Sequence, residues 1–240
     1  MKIALVCIAK NEDYYIEEWV NYHLKMGFDN VIIYQNDWVC QIDNPKVIKL
    51  TIDGDSQQLP AYNSFINDYS NDYDWVAFFD VDEFLVLKKH NNIKELLNNY
   101  SQHQGLGVNW VVFGNNNLEH FTGNDYSLIK RFTKRQIGID PHIKTILNLK
   151  HSKNVTMSVH NPNKEIVDSN YNPISGPFNP NGNDEIVQLN HYFCKTKDEF
   201  KLKCERGRSD LKIYVRTMDE YEPSNKNEVE DLTALNFLLK

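Results

Sequence analysis

A chain of 240 residues that is 41% hydrophobic and 12% aromatic can bury a substantial core, which excludes a disordered protein. Its net charge of −7 excludes the basic face of a general nucleic-acid binder. No apolar run reaches the roughly 18 residues that a membrane-spanning helix needs.

Residues 2–9 form a near-continuous apolar run, the pattern of a strand covered on both faces. The run is too short for a signal peptide, and Lys10-Asn11-Glu12 stands where a small-residue cleavage site would be. Cys7, Cys40, Cys194 and Cys204 form no CxxC pair and are expected as reduced thiols of a cytoplasmic protein. Asn11 is placed to cap a helix. Its apolar positions Tyr15, Ile16, Trp19, Val20, His23 and Leu24 follow the helical period, and Gly27 ends it. Strands are expected over 31–34 and 47–50. Pro60 opens a helix through Tyr62, Phe65, Ile66 and Tyr69. A fourth strand over 75–79 is followed by a short helix over 93–100 and a strand over 107–113.

This alternation predicts an α/β fold with a mostly parallel central sheet flanked by helices. The second half is less regular. Strands are expected over 127–131 and 143–147, then mostly loops or short hairpins over 151–184, where Asn, Pro, Ser and Gly are dense. A strand over 186–192 ends at His191. Thr196 caps a helix over 197–205, and a terminal helix covers 232–239.

The fourth strand carries the strongest chemical signal. The apolar run Trp75-Val76-Ala77-Phe78-Phe79 ends in Asp80, Asp82 and Glu83, after which the chain is apolar again. Carboxylates flanked by apolar chain need a positive partner, and a divalent metal, Mg²⁺ or Mn²⁺, that itself holds a diphosphate is the natural one. The competing reading is a pair of solvated loop acids. Ligands of parallel sheets bind at the carboxyl ends of strands. Lys10, Asn11, Glu12, Asn36, Asp37, Asp80 and Asp82 all sit at such ends, while Tyr62 and Asn63 begin a helix that can face the same cleft. Lys10, Asn11, Glu12, Asn36, Asp37, Tyr62 and Asn63 are therefore candidates for a base and ribose, although Asn11 has an alternative as a helix cap and Tyr62 as a packing residue. His191 is a candidate third metal ligand, with His160 competing for the role and an ordinary half-buried histidine as the alternative for each. Arg206 and Arg208 flank Gly207 and can grip a diphosphate or an anionic acceptor. Lys201 and Lys203 read as the solvated face of a helix. No Walker A, GxGxxG, HExxH or GxSxG pattern occurs.

Lys10-Asn11-Glu12, Tyr15-Ile16-Glu17-Glu18-Trp19, Tyr22-His23, Gly27-Phe28-Asp29 and Tyr34-x-Asn36 resemble the opening of glycosyltransferase family 92 and related family 2-like transferases. Residues 75–87 resemble that group's DxD block and Trp110-x-x-Phe113-Gly114 its next motif. His191-Tyr192-Phe193-x-Lys195, Glu199-Phe200 and Arg206-Gly207-Arg208 resemble its carboxyl-terminal block. The resemblance implies one GT-A domain over 1–240, with a nucleotide-sugar-binding half (1–115) and an acceptor-side half (116–240). It also implies a nucleotide-sugar donor, a divalent metal and inversion at the anomeric carbon. The acceptor is expected to be a saccharide or lipid-linked glycan, the latter with peripheral membrane contact. Asp82 with Asp80 and His191 would hold the metal. Glu119 and Asp140 are the candidates for the base that deprotonates the acceptor hydroxyl. Asn115-Asn116-Asn117 and Lys144-Thr145-Ile146-Leu147 depart from the family pattern, and both are expected to border the acceptor. A nucleotidyltransferase that makes sugar nucleotides is the alternative enzyme, but the Ala9-Lys10-Asn11 loop lacks the glycines it needs. A non-catalytic carbohydrate-binding protein on the same scaffold is the other alternative.

Overall fold

The computed structural model describes residues 1–210 and 215–240. In chain order its elements are β1 (Ile3–Ala9), α1 (Ile16–Met26), β2 (Asn30–Asn36), β3 (Val47–Ile52), α2 (Gln58–Tyr69), β4 (Trp75–Phe78), β5 (Glu83–Leu87), α3 (Ile93–Asn98) and β6 (Gly105–Val112). There follow α4 (Leu128–Arg131), β7 (Lys134–Arg135), β8 (Ile143–Asn148), β9 (Ile166–Val167), β10 (Pro173–Ile174), β11 (Val187–His191), α5 (Lys197–Arg206), α6 (Tyr221–Ser224), β12 (Val229–Glu230) and α7 (Thr233–Leu239). No helix among the described residues is long and apolar enough to cross a membrane.

The main sheet runs β10-β9-β6-β8-β4-β1-β2-β3, with β11 and β5 joined at β6. The pairs β3–β2, β2–β1 and β1–β4 are parallel, as the βαβ rhythm predicts. The two faces of β1 explain its continuous apolar run. Ile3, Leu5, Cys7 and Ala9 pack with α1 residues on one face, while Ala4, Val6 and Ile8 pack with α2 residues on the other. β8 is antiparallel to both β4 and β6. Its amino end therefore lies at the same sheet edge as the carboxyl ends of β1, β2, β4, β6 and β11.

β5 was not foreseen. After Asp80 the chain turns sharply, with the Glu83 N–H donating to the Asp80 carbonyl at 2.9 Å, and then pairs antiparallel with β11. Helix α1 holds this strand in place. Trp19 Nε1 donates to the Glu83 carbonyl at 2.8 Å and the Tyr22 hydroxyl to the Leu85 carbonyl at 2.8 Å. His23 accepts from the Leu85 N–H at 3.3 Å, and burial pushes its imidazole down to about 3, so it is neutral. The Trp19, Tyr22 and His23 positions thus carry a structural duty.

Three local expectations need correction. Asn11 does not cap α1, which begins five residues later. It occupies a turn at φ +53, the left-handed region that asparagine tolerates. Residues 127–131 are not a strand. The Ser127 hydroxyl caps the Lys130 N–H, and the Glu18 carboxylate of α1 takes the Leu128 N–H at 2.7 Å, so a helical turn forms instead. Asn115 and Asn116 do not line the cleft at the sheet edge. Their backbone N–H groups donate to Asn225 and Asn227 at 2.9 and 2.8 Å, and the Asn115 side chain donates to the Tyr221 hydroxyl at 2.9 Å. The triplet brackets the segment that follows α6.

That bracket explains Gly114. A Cβ there would lie 2.5 Å from Asn227 Oδ1 and would overlap the Lys226 backbone carbonyl, which cannot rotate away. Gly114→Ala is expected to lower stability by about 1–3 kcal/mol, as overpacking against backbone does. It would also displace Lys226 and Ser224, which line the main cleft. Urea titration checks the first effect. A midpoint equal to wild type would refute the close approach.

Candidate functional site

The cleft lies at the shared sheet edge and has a volume of about 560 Å³. Strand polarity decides who reaches it. Lys10 and Glu12 follow β1, Asn36 ends β2, Asp80 and Asp82 follow β4, and His191 ends β11. β8 runs the other way, so the cleft takes Asp140 and His142 from just before its start, with Lys144 buried behind them against Asp80. Gln58 from the first turn of α2 and Arg206 and Arg208 around the end of α5 complete this wall.

Asp82 and His191 meet because of the β5–β11 register. His191 pairs with Glu83, and the Tyr192 N–H donates to the Asp82 carbonyl at 2.9 Å. Asp82 Oδ1 then faces His191 Nε2 at 3.7 Å. Asp82 Oδ2 accepts from Lys203 at 2.6 Å and Lys195 at 3.2 Å. Burial pushes the Asp82 carboxyl up, but Lys203 and Lys195 outweigh it and hold the group well below the carboxylate range. Burial drives His191 down to about 3, so its ring is neutral and keeps a lone pair. Lys203 is lowered to about 7 by burial and by Lys195, against the pull of Asp82. The expected solvated lysine face is therefore corrected for Lys203. It lies on the buried side of α5 with Glu199 and Phe200, while Lys201 is exposed.

Asp80 has a different partner set. Its Oδ2 accepts from the fully buried Lys144 at 2.9 Å, and its Oδ1 from Gln58 at 3.0 Å and Tyr62 at 3.4 Å. Burial lowers Lys144, yet Asp80 and Glu83 pull it above its ordinary value. Glu83 is pushed well above the carboxyl range by burial. Its Oε2 accepts the Asp80 N–H at 2.9 Å.

The donor set tests the expected metal. Asp82 Oδ1 and His191 Nε2 face each other at 3.7 Å, beyond hydrogen-bond reach, which suits two positions of a hard cation's shell. Asp80 does not join them, because both its oxygens are committed to Lys144, Gln58 and Tyr62. No group of three His, Cys, Asp or Glu side chains among the described residues is arranged to hold a metal. The site fits a cation held by Asp82 and His191 with other positions filled by phosphate oxygens and water, as Mg²⁺ commonly prefers. His160, the competing ligand, donates from Nδ1 to the Ile143 carbonyl at 3.0 Å and packs edge-on to Trp110.

The remaining candidates divide. Lys10, Glu12, Asn36, Arg206 and Arg208 line the cleft, with Arg206 ion-paired to Glu12 and Arg208 to Asp210. Asn11 is exposed, and Asp37 pairs with Lys10 at 2.9 Å behind the rim. Tyr62 is buried beneath Asp80 and supports it. Asn63 braces α2 to the Met157 backbone and does not reach the cleft. Glu119 is corrected: its carboxylate faces solvent beside Lys197 at 3.4 Å and lies outside the cleft. Asp140 lines the cleft, bonded to His142. Gln58, Lys144, Lys195, Lys203 and His142 were not assigned roles from sequence. For Lys203 the signal was its spacing of four from Glu199 and three from Phe200.

A family model described as glycosyltransferase family 92 matches residues 56–227. No curated protein matches. Among solved structures, the crystal structure of S. aureus TarS is similar at 13% identity and a TM-score of 0.37, covering 62% of this chain. The match spans 28% of the length of that chain.

Proposed function

The chain belongs to glycosyltransferase family 92, and from that premise we propose that it moves a sugar from a UDP-sugar to a saccharide or lipid-linked glycan hydroxyl, with inversion. The observation that carries this reading is the meeting of Asp82 with Lys195, Lys203 and His191 at the end of β4, in a cleft that Arg206 and Arg208 also line. Carboxylate and guanidinium groups side by side suit a diphosphate approached by a cation.

In this reading Arg206 and Arg208 bind phosphate oxygens, which the planar fork of a guanidinium suits. Lys10, Glu12 and Asn36, at the ends of β1 and β2, flank the nucleoside. Lys144 and Gln58 fix Asp80 toward the ribose side. Asp82 and His191 would hold Mg²⁺ or Mn²⁺, which when bound neutralises charge building on the leaving diphosphate.

Calorimetric titration with UDP tests this. Binding is expected with Mn²⁺ present and at least about tenfold weaker, or 1.4 kcal/mol, in excess chelator. Absence of UDP binding under both conditions would overturn the donor assignment. Equal binding under both would remove the metal and leave the diphosphate to the lysines and arginines.

A further inference from the structure

We propose that His142 is the general base that takes the proton from the acceptor hydroxyl, with Asp140 as its positioning residue, an inference that rests on the transferase reading above. Glu12, Asp80, Asp82 and Asp210 face the cleft but are each held by a cation. Asp140 is committed as well. Its Oδ1 accepts both the His142 backbone N–H at 2.9 Å and the His142 ring Nδ1 at 2.7 Å.

That second bond fixes the tautomer. With Nδ1–H donating to a carboxylate, Nε2 carries the lone pair. No hydrogen bond reaches Nε2 among the described residues, and the side chain is 37% exposed where it lines the cleft. The ring cannot swing freely. It stacks on Trp110 at 4.8 Å and 25°, and Phe178 meets it edge-on at 4.7 Å. The turn beneath it is pinned too. The Asp140 N–H donates to the Trp110 carbonyl at 2.8 Å, and the Asn179 N–H to the Pro141 carbonyl at 2.7 Å. A base oriented by a carboxylate and clamped on an aromatic face is a preorganised proton acceptor. It stands at the start of β8, on the β6 side of Asp80, away from the nucleoside-side strand ends.

The step balances as a direct displacement. The acceptor oxygen bonds to the anomeric carbon as its proton passes to His142 Nε2. The bond from that carbon to the phosphate oxygen breaks, and its electron pair leaves with the diphosphate. Asp140 stabilises the imidazolium, which returns its proton to water after release.

The test uses the full chain as His142→Ala, His142→Gln and Asp140→Asn. UDP release is measured with UDP-glucose, UDP-galactose and UDP-N-acetylglucosamine, with water as acceptor, and UDP affinity by calorimetry. His142→Ala and His142→Gln are expected to slow release roughly 10²–10³-fold while UDP affinity stays within about twofold. Added imidazole is expected to restore at least about tenfold of the rate in His142→Ala, where a cavity admits it, and not in Asp140→Asn. Release within threefold of wild type in His142→Gln would overturn the proposal. So would loss of UDP affinity in parallel with rate and without imidazole rescue, because that marks a structural role. A wild-type chain that neither binds UDP nor cleaves any of the three donors would instead overturn the transferase reading, and this inference with it.

Discussion

Asp82→Asn is expected to reduce transfer by about 10³-fold and to destabilise the fold at the same time. The substitution keeps the shape and removes one charge. Lys195 at 3.2 Å would then be left as a buried ammonium facing a neutral amide, and Lys203 at 2.6 Å, already lowered to about 7, would lose the charge that holds its proton. Removing one partner of a buried ion pair costs about 3–5 kcal/mol. For a chain of this size that corresponds to a melting point lower by roughly 10 °C. The activity loss has a separate origin, because Asp82 Oδ1 faces His191 at 3.7 Å on the cleft side. Asp82→Asn combined with Lys203→Met separates the two. Replacing the stranded Lys203 amine with an apolar chain is expected to recover part of the stability and none of the activity. Melting curves and UDP release from UDP-sugars are the measurements. A folded Asp82→Asn chain that keeps a tenth of wild-type activity would remove Asp82 from the reacting centre.

The β1, β2 and β4 side of this site was legible because it obeys local rules. β1 and β4 are apolar runs covered on both faces, and their polar ends mark where a parallel sheet binds ligands, so Glu12, Asn36, Asp80 and Asp82 could be placed before any coordinates. Thr196 and Glu199 spell a capping box, which the structure contains. What stayed hidden depends on register and strand direction. Lys144 sits on β8, whose reversed course brings its amino end to the cleft, and no pattern within 143–148 encodes that polarity. Asp80 and Asp82 look equivalent in sequence, yet the turn at Glu83 sends one to Lys144 and the other to His191. Lys203 was misjudged because charge was weighed before helical phase. Glu119 was misjudged because proximity in sequence to Phe113-Gly114 says nothing once Asn115 and Asn116 turn the chain toward Asn225 and Asn227.

Glu199→Gln is the second large effect, and its pH dependence separates it from Asp82. The Glu199 carboxylate joins three parts of the chain. It accepts from Arg131 at 2.7 and 2.9 Å, from the Tyr15 hydroxyl at 2.7 Å, and from the Thr196 N–H and hydroxyl at 3.0 and 2.6 Å. Burial raises its pKa, but these bonds, Arg131 foremost, hold it at about 2 against an ordinary 4.5. A depressed folded-state pKa means the stabilisation is present above the unfolded value and is lost as pH falls through the folded one. The difference corresponds to roughly 3 kcal/mol at pH 7, fading between about pH 4.5 and 2. Glutamine forfeits the charge at every pH, so the gap between wild type and variant should be wide at neutral pH and narrow near pH 2. Urea titrations at pH 7, 4 and 2.5 read that gap, and a gap constant with pH would refute the ionic origin. The consequence reaches the cleft as well. Tyr15, held by Glu199, lies under the Lys195 ammonium at 5.0 Å, and Lys195 in turn holds Asp82. Loosening the capping box of α5 is therefore expected to slow transfer at neutral pH, by less than Asp82→Asn does, because Lys203 still bonds the carboxylate directly.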